Sequence, residues 1–337
     1  MLLRDREDLK KKKIFCIIVA AQWVLISGLR HWSVGADTEA YSRSFEFVKR
    51  TSWGTLFENC RTYLFEGATQ KDPGYNLLVK VFQVFSGDYQ AWLFFIALLF
   101  TGLMAWWIYK NSELPEISFL VYSTVFYAFF GITGHRQTIA TALVFFVGFE
   151  LIKKKKYVWY ALIAFLAFMI HKSSVVFIVY AIIAHIGINA IYGGIVVLAS
   201  VATAIFGKGL YGPIALELGY SENAIEYAEG GAETYATVLM LVCIAAFICY
   251  KWIKERREDV KFLYNLVFPT FASTLFIYQN QSFMRIQQYY SPIIMVAIPE
   301  MIMSFERKNR QAVYLVVVGI LLFYLLLQNP QYRFCFA

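Results

Sequence analysis

Four short basic clusters punctuate this chain, and the long stretches between them are nearly free of charge. The clusters are Lys10–Lys13, Lys153–Lys156, Lys251–Lys261 and Glu306–Arg310. A water-soluble core cannot hide so many uninterrupted apolar runs. A bilayer can, because about 20 apolar residues span its hydrocarbon layer. Composition agrees: the chain is 59% hydrophobic and only 16% charged, against about 45–50% and 25% in soluble domains. In a soluble protein, a net charge of +8 would suggest a nucleic-acid partner. Here the positive residues sit in turns between apolar runs, where the positive-inside rule puts cytoplasmic loops.

The apolar runs place spans at 14–30, 90–109, 116–132, 136–152, 157–171, 173–187, 188–206, 234–252, 261–279, 286–304 and 311–328. The expected fold is therefore an all-α polytopic membrane protein with about 11 transmembrane helices in one domain, 1–337. The N-terminal run follows a basic start but lacks a small-residue cleavage site, so it reads as an uncleaved first span. With all four clusters inside, the N-terminus is cytoplasmic, and residues 31–89 and 207–233 are external loops. Residues 31–89 carry amphipathic pieces, "TEAYSRSFEFVKR", "WGTLFENCRTYLF" and "GYNLLVKVFQVFS", suited to the membrane interface. Residues 207–233 are acidic, with Glu217, Glu222, Glu226, Glu229 and Glu233 against Lys208.

Inside the spans, Glu300 is the clear charged exception, in the inner part of its helix. The other polar residues gather at outer helix ends: Arg30, His31, Asp37, His135, Arg136, Gln137, His171, Lys172, Arg285, Gln287 and Gln288. The spans beginning at 136, 173 and 286 run inward, so their N-termini face out. Each such end offers unpaired N–H groups and about half a positive charge. Arg136, Lys172 and Arg285 add cations there, at a cost of roughly 0.3–1 kcal/mol each unless an anion compensates. A pyrophosphate fits, because arginine presents a planar fork to phosphate oxygens. Singly, each of these cations also reads as a snorkelling anchor.

His135 and His171 each neighbour a cation and are candidate proton acceptors near neutrality. Asp37 is the acidic rival, and it also reads as the N-cap of a helix starting at Thr38. "KDPGYNLL" reads as a turn before a helix. Tyr75, Tyr289 and Tyr290 suit sugar stacking or an aromatic belt. The five cysteines, Cys16, Cys60, Cys243, Cys249 and Cys335, form no C-x-x-C pair; Cys60 and Cys335 leave open a disulfide that no spacing supports. There is no D-x-D, H-E-x-x-H or P-loop, so no metal or other cofactor is expected and leaving-group charge falls to arginine and lysine.

The order "LRHWSVGADTEAY", "DPGYNLLVK", "HRQTIATAL", "IHKSS" and "MRIQQYYSP" resembles the EpsG family of Wzy-like polysaccharide polymerases, from about Arg30 to Pro292. The resemblance implies a multi-pass enzyme of the cell (inner or plasma) membrane, related to GT-C and O-antigen ligase enzymes, working at the outer face without metal. Such enzymes polymerise undecaprenyl-pyrophosphate-linked oligosaccharide repeats into O-antigen, capsule or exopolysaccharide. Its partners would be a polyprenyl-pyrophosphate-linked donor and acceptor, membrane lipids and a chain-length regulator. The residues then expected are Arg136, Arg285, Arg30 and Lys172 on the pyrophosphate, and His171, Asp37 or His135 as the base. Gln137, Tyr75, Gln288 and Tyr289 would contact substrate. Two alternatives stand: a ligase or other lipid-linked-sugar glycosyltransferase, and a transporter or flippase of lipid-linked oligosaccharides, which would need a charged or hydrated centre.

Overall fold

A computed structural model describes residues 6–67, 71–206, 213, 216, 232–278, 280–328 and 332–336. The external loop expected at 207–233 lies almost wholly outside the described residues. Helices dominate the rest. They are α1 (Arg6–Gly28), α2 (Thr38–Arg50), α3 (Trp53–Phe65), α4 (Pro73–Gln83), α5 (Tyr89–Asn111) and α6 (Pro115–Thr133). Next come α7 (His135–Thr141) and α8 (Gly148–Lys153), joined by a π-helical stretch, Ala142–Val147. Then follow α9 (Tyr157–Ile170), a 3-10 turn at Lys172–Phe177, α10 (Ile178–Ile183), α11 (Ala190–Phe206), α12 (Glu233–Arg256) and α13 (Val260–Ile277). The last are α14 (Met284–Gln287), α15 (Ile294–Ser304) and α16 (Arg307–Leu327).

Most apolar runs in the sequence coincide with helix. Five helical stretches, Tyr89–Asn111, Pro115–Thr133, Glu233–Arg256, Val260–Ile277 and Arg307–Leu327, are long and apolar enough to cross a membrane. Their solvent is legible in their packing. Helix α16 buries only Leu321, while Leu315, Val316, Ile320, Phe323 and Leu326 are exposed, as on a helix that meets hydrocarbon rather than water. The expected span at 286–304 is broken. Gln281–Phe283 and α14 form a short helical piece, and the chain turns through 288–290 before α15.

Three of the four basic clusters reach the turns between neighbouring helices. Lys12 Nζ reaches Ser112 O at 2.6 Å, and Lys153 pairs with Asp259. Arg257 Nη1 meets Glu300 Oε1 at 2.8 Å and Asn111 O at 3.2 Å. Asn111 in turn donates to Glu150 Oε1 at 2.9 Å. Glu300 is thus not a stray intramembrane charge but the buried partner of the turn before α13; a buried carboxylate without such a partner would be strongly unfavourable.

The amphipathic pieces expected in 31–89 form α2, α3 and α4. Their apolar faces make a second, smaller core with the main bundle. Phe45 and Val48 from α2, Leu56 from α3 and Tyr75 and Val79 from α4 pack with Trp92, Ile96, Ile139 and Ile170. Burying each such large side chain contributes about 1.5–3 kcal/mol. This core pins the segment to the starts of α5 and α7 and the end of α9. All five cysteines are free thiols, so the Cys60–Cys335 disulfide left open by the sequence is not formed.

Candidate functional site

The site begins at a tight turn. Asp72 has φ 53°, a left-handed conformation that non-glycine residues adopt at a cost, and Pro73 follows it at the first helical position of α4. Such strain persists only where the surroundings hold it. Here two hydrogen bonds and an ion pair do so. Asp72 Oδ2 accepts from His171 Nδ1 at 3.1 Å and pairs with Arg136 Nη1 at 2.9 Å, and Oδ1 accepts from the Lys172 backbone N–H at 3.0 Å. Gly74 permits the approach. A Cβ there would lie 2.6 Å from Met169 Cβ and 2.7 Å from Met169 O, so only glycine lets α4 press against the end of α9, two residues before His171. Burial of Asp72 opposes ionisation, but His171, Arg136 and the Lys172 N–H together hold its carboxyl below the usual range.

Because Asp72 is a carboxylate, His171 must carry its proton on Nδ1. Its Nε2 is then a lone-pair acceptor, and it has no partner among the described residues. An imidazole oriented by a carboxylate, with the opposite nitrogen open, is the arrangement of a general base. His171 stands in an extended link (φ −155°, ψ 108°) between α9 and the 3-10 turn, so its ring is set by packing rather than by a helix surface.

Arg136 sits in the first turn of α7, where Gly134 precedes it. A Cβ at Gly134 would stand 2.5 Å from the tip of the Phe129 ring, so a larger residue there would displace that ring. The guanidinium uses Nη1 for Asp72 and directs Nε at Tyr41 Oη, 3.5 Å away, with its centre 5.6 Å from the Tyr41 ring. The Nη2 donors carry no partner among the described residues, and the side chain is 26% exposed. Lys71, an exposed residue, lies within electrostatic reach of Arg136, Arg285, Asp72 and Asp37 at once. Around Lys71, three cations thus stand against two carboxylates, and this charged neighbourhood is the basin of the site.

Other expected residues occupy different places. Arg30 is 2% exposed. Its Nη1 donates to Ser27 O and its Nη2 to His135 Nε2 at 2.8 Å, so it faces the protein interior. The Arg30 donor fixes His135 as the Nδ1–H tautomer. Its one lone pair is engaged, and its ring is stacked on Tyr41 at 4.3 Å. Asp37 holds the N-cap position of α2 without a side-chain cap bond and is exposed. Gln137 Nε2 binds Arg285 O at 2.5 Å and Gln288 Oε1 at 3.3 Å. Arg285 belongs to the short α14, not to the first turn of a spanning helix as the sequence suggested. Tyr75 and Tyr289 are buried: the Tyr75 hydroxyl accepts from Trp92 Nε1 at 3.3 Å, and Tyr289 Oη lies 3.4 Å from Ser173 Oγ.

Sequence reasoning passed over Asp72, Lys71 and Tyr41. The signal for the first two was an ionisable pair, "KD", directly ahead of the Pro-Gly turn. Tyr41 carried none, since an aromatic on an amphipathic helix is ordinarily core.

The EpsG family profile matches residues 13–334, nearly the whole chain. No curated protein and no solved structure matches it.

Proposed function

This chain belongs to the EpsG family, a Wzy-like polysaccharide polymerase family, and is a multi-pass membrane protein; we propose that it joins undecaprenyl-pyrophosphate-linked oligosaccharide repeats at the outer face of the cell membrane. The observation that carries this reading is the single carboxylate, Asp72, which binds Arg136 and His171 through one oxygen. A cation for a leaving pyrophosphate and a base for an attacking hydroxyl are thereby held side by side.

The reaction proceeds as a displacement. An acceptor sugar hydroxyl gives its proton to His171 Nε2 while its oxygen bonds to the anomeric carbon of the donor chain. The bond from that carbon to the phosphate oxygen breaks, and the electron pair leaves with the lipid pyrophosphate. Arg136 Nη2, Arg285, Lys172 and Lys71 meet the charge that develops on the departing oxygens. Arg30 and His135 act from behind, holding Tyr41 and through it the Arg136 fork. The outward orientation rests on the positive-inside rule applied to the basic turns.

Purified protein reconstituted with one lipid-linked repeat, serving as donor and acceptor, tests this reading. A ladder of products supports a polymerase. A single transfer to another acceptor means a ligase or transferase, and no transfer removes the enzymatic reading altogether.

A further inference from the structure

A second feature lies beside the basin. A cleft of 390 Å³ opens between the link before α2, the exposed face of α2 and the start of α5, within the range of about 300–1,000 Å³ typical of small-molecule sites. Trp32 lines it with 45% of its surface exposed. Its ring is braced by His31, 5.2 Å away, and His31 is itself held by Ser33 Oγ at 2.7 Å. Around this platform stand groups with unused hydrogen-bonding capacity. Glu39 gives one oxygen to Arg43 at 2.8 Å and keeps the other. Asp88 caps α5 through Oδ1, accepting from Gln90 N at 3.0 Å, and keeps Oδ2. Arg43 and Ser42 supply donors.

The floor is fixed to the catalytic side. Gln90 Nε2 binds Gly28 O and Arg30 O, and the Tyr89 hydroxyl donates to Thr38 O at 3.2 Å. The Tyr89 ring also lies 6.4 Å from the His135 ring, which is stacked on Tyr41 behind Arg136, so one residue lines the cleft and reaches the supports of the basin.

We propose that this cleft is a glycan subsite, binding sugars of the substrate chain that are remote from the reacting bond. Two carboxylates against one arginine leave it net negative, which disfavours pyrophosphate. A flat aromatic face beside paired acceptors and donors matches a sugar ring, which has an apolar C–H face and neighbouring hydroxyls. The proposal rests on the reading of the substrate as a lipid-linked glycan, but its test does not depend on turnover.

The probe is the oligosaccharide released by mild acid from the lipid-linked pool of the producing cells. It carries neither lipid nor pyrophosphate. Its binding to the full-length protein in detergent is measured by saturation-transfer NMR and calorimetry. Trp32→Ala is expected to weaken binding at least tenfold and Glu39→Gln at least threefold, while Trp32→Phe retains affinity within threefold. Melting curves of each variant report whether it is folded. Unchanged affinity in a folded Trp32→Ala protein, or no binding to the wild type, overturns the proposal. If the wild type binds the oligosaccharide through Trp32 but makes no ladder from lipid-linked repeats, the polymerase reading fails and the subsite stands.

Discussion

Asp72 Oδ2 lies 3.1 Å from His171 Nδ1, joining a turn in the loop-borne segment to the end of a bundle helix. This contact decides the tautomer of the histidine and leaves Nε2 open. Replacing Asp72 by Asn keeps the shape but removes the carboxylate. Polymerisation by Asp72→Asn should fall at least about 100-fold, the usual range for a general-base contribution being 10²–10⁴. The acid limb of its rate profile should also move to lower pH, since the imidazolium loses its counter-charge. Wild-type rate and profile would show that Asp72 only shapes the turn.

The same carboxylate links stability to pH. Its folded pKa is depressed, so its contribution is fully present above the unfolded value of about 3.9 and is lost as pH falls through the lower folded value. The wild-type melting temperature should therefore drop more steeply than that of Asp72→Asn on acidification below about pH 4. Parallel curves would remove the carboxylate from the acid response.

Arg136 is expected to act through its fork rather than its charge alone. Arg136→Lys should lose most polymer synthesis, because a single ammonium centre lacks the planar fork that pairs one nitrogen with Asp72 and turns the other to a pyrophosphate. Membrane expression should be near normal. Long-chain polymer at wild-type yield from Arg136→Lys would reduce the residue to an electrostatic anchor.

Gly74→Ala pushes a methyl group against the Met169 backbone. The end of α9 cannot yield as a flexible side chain would, so the packing should loosen by about 1–3 kcal/mol. Activity should fall further than stability alone explains, because the Asp72–His171 distance depends on this contact. Matching losses in Gly74→Ala and a remote destabilised variant would argue against positioning.

Glu300→Gln tests the opposite end. The neutral amide leaves Arg257 with one carboxylate, Asp259, 2.6 Å from its Nε, and stability should fall by about 1–3 kcal/mol. Turnover per folded molecule should be unchanged, because no residue of the basin touches this cluster.

The helices and the family motifs were legible in the sequence, because hydropathy over about 20 residues is a local property. His135, Arg136 and His171 were also visible, as polar residues at the ends of apolar runs. Their division of labour was not. Arg30 and His135 look alike on paper to Arg136 and His171, yet the first pair is turned inward on itself and the second is joined by Asp72. That distinction depends on contacts such as Asp72 to Arg136 and Gly74 to Met169, made between segments far apart in the chain. No local pattern encodes them, since they arise only when the apolar faces of α2, α3 and α4 settle on α5, α7 and α9. Sequence alone determined that this protein is a membrane bundle with a polar end. Tertiary packing decided which of the polar residues meet there, and with which nitrogen free.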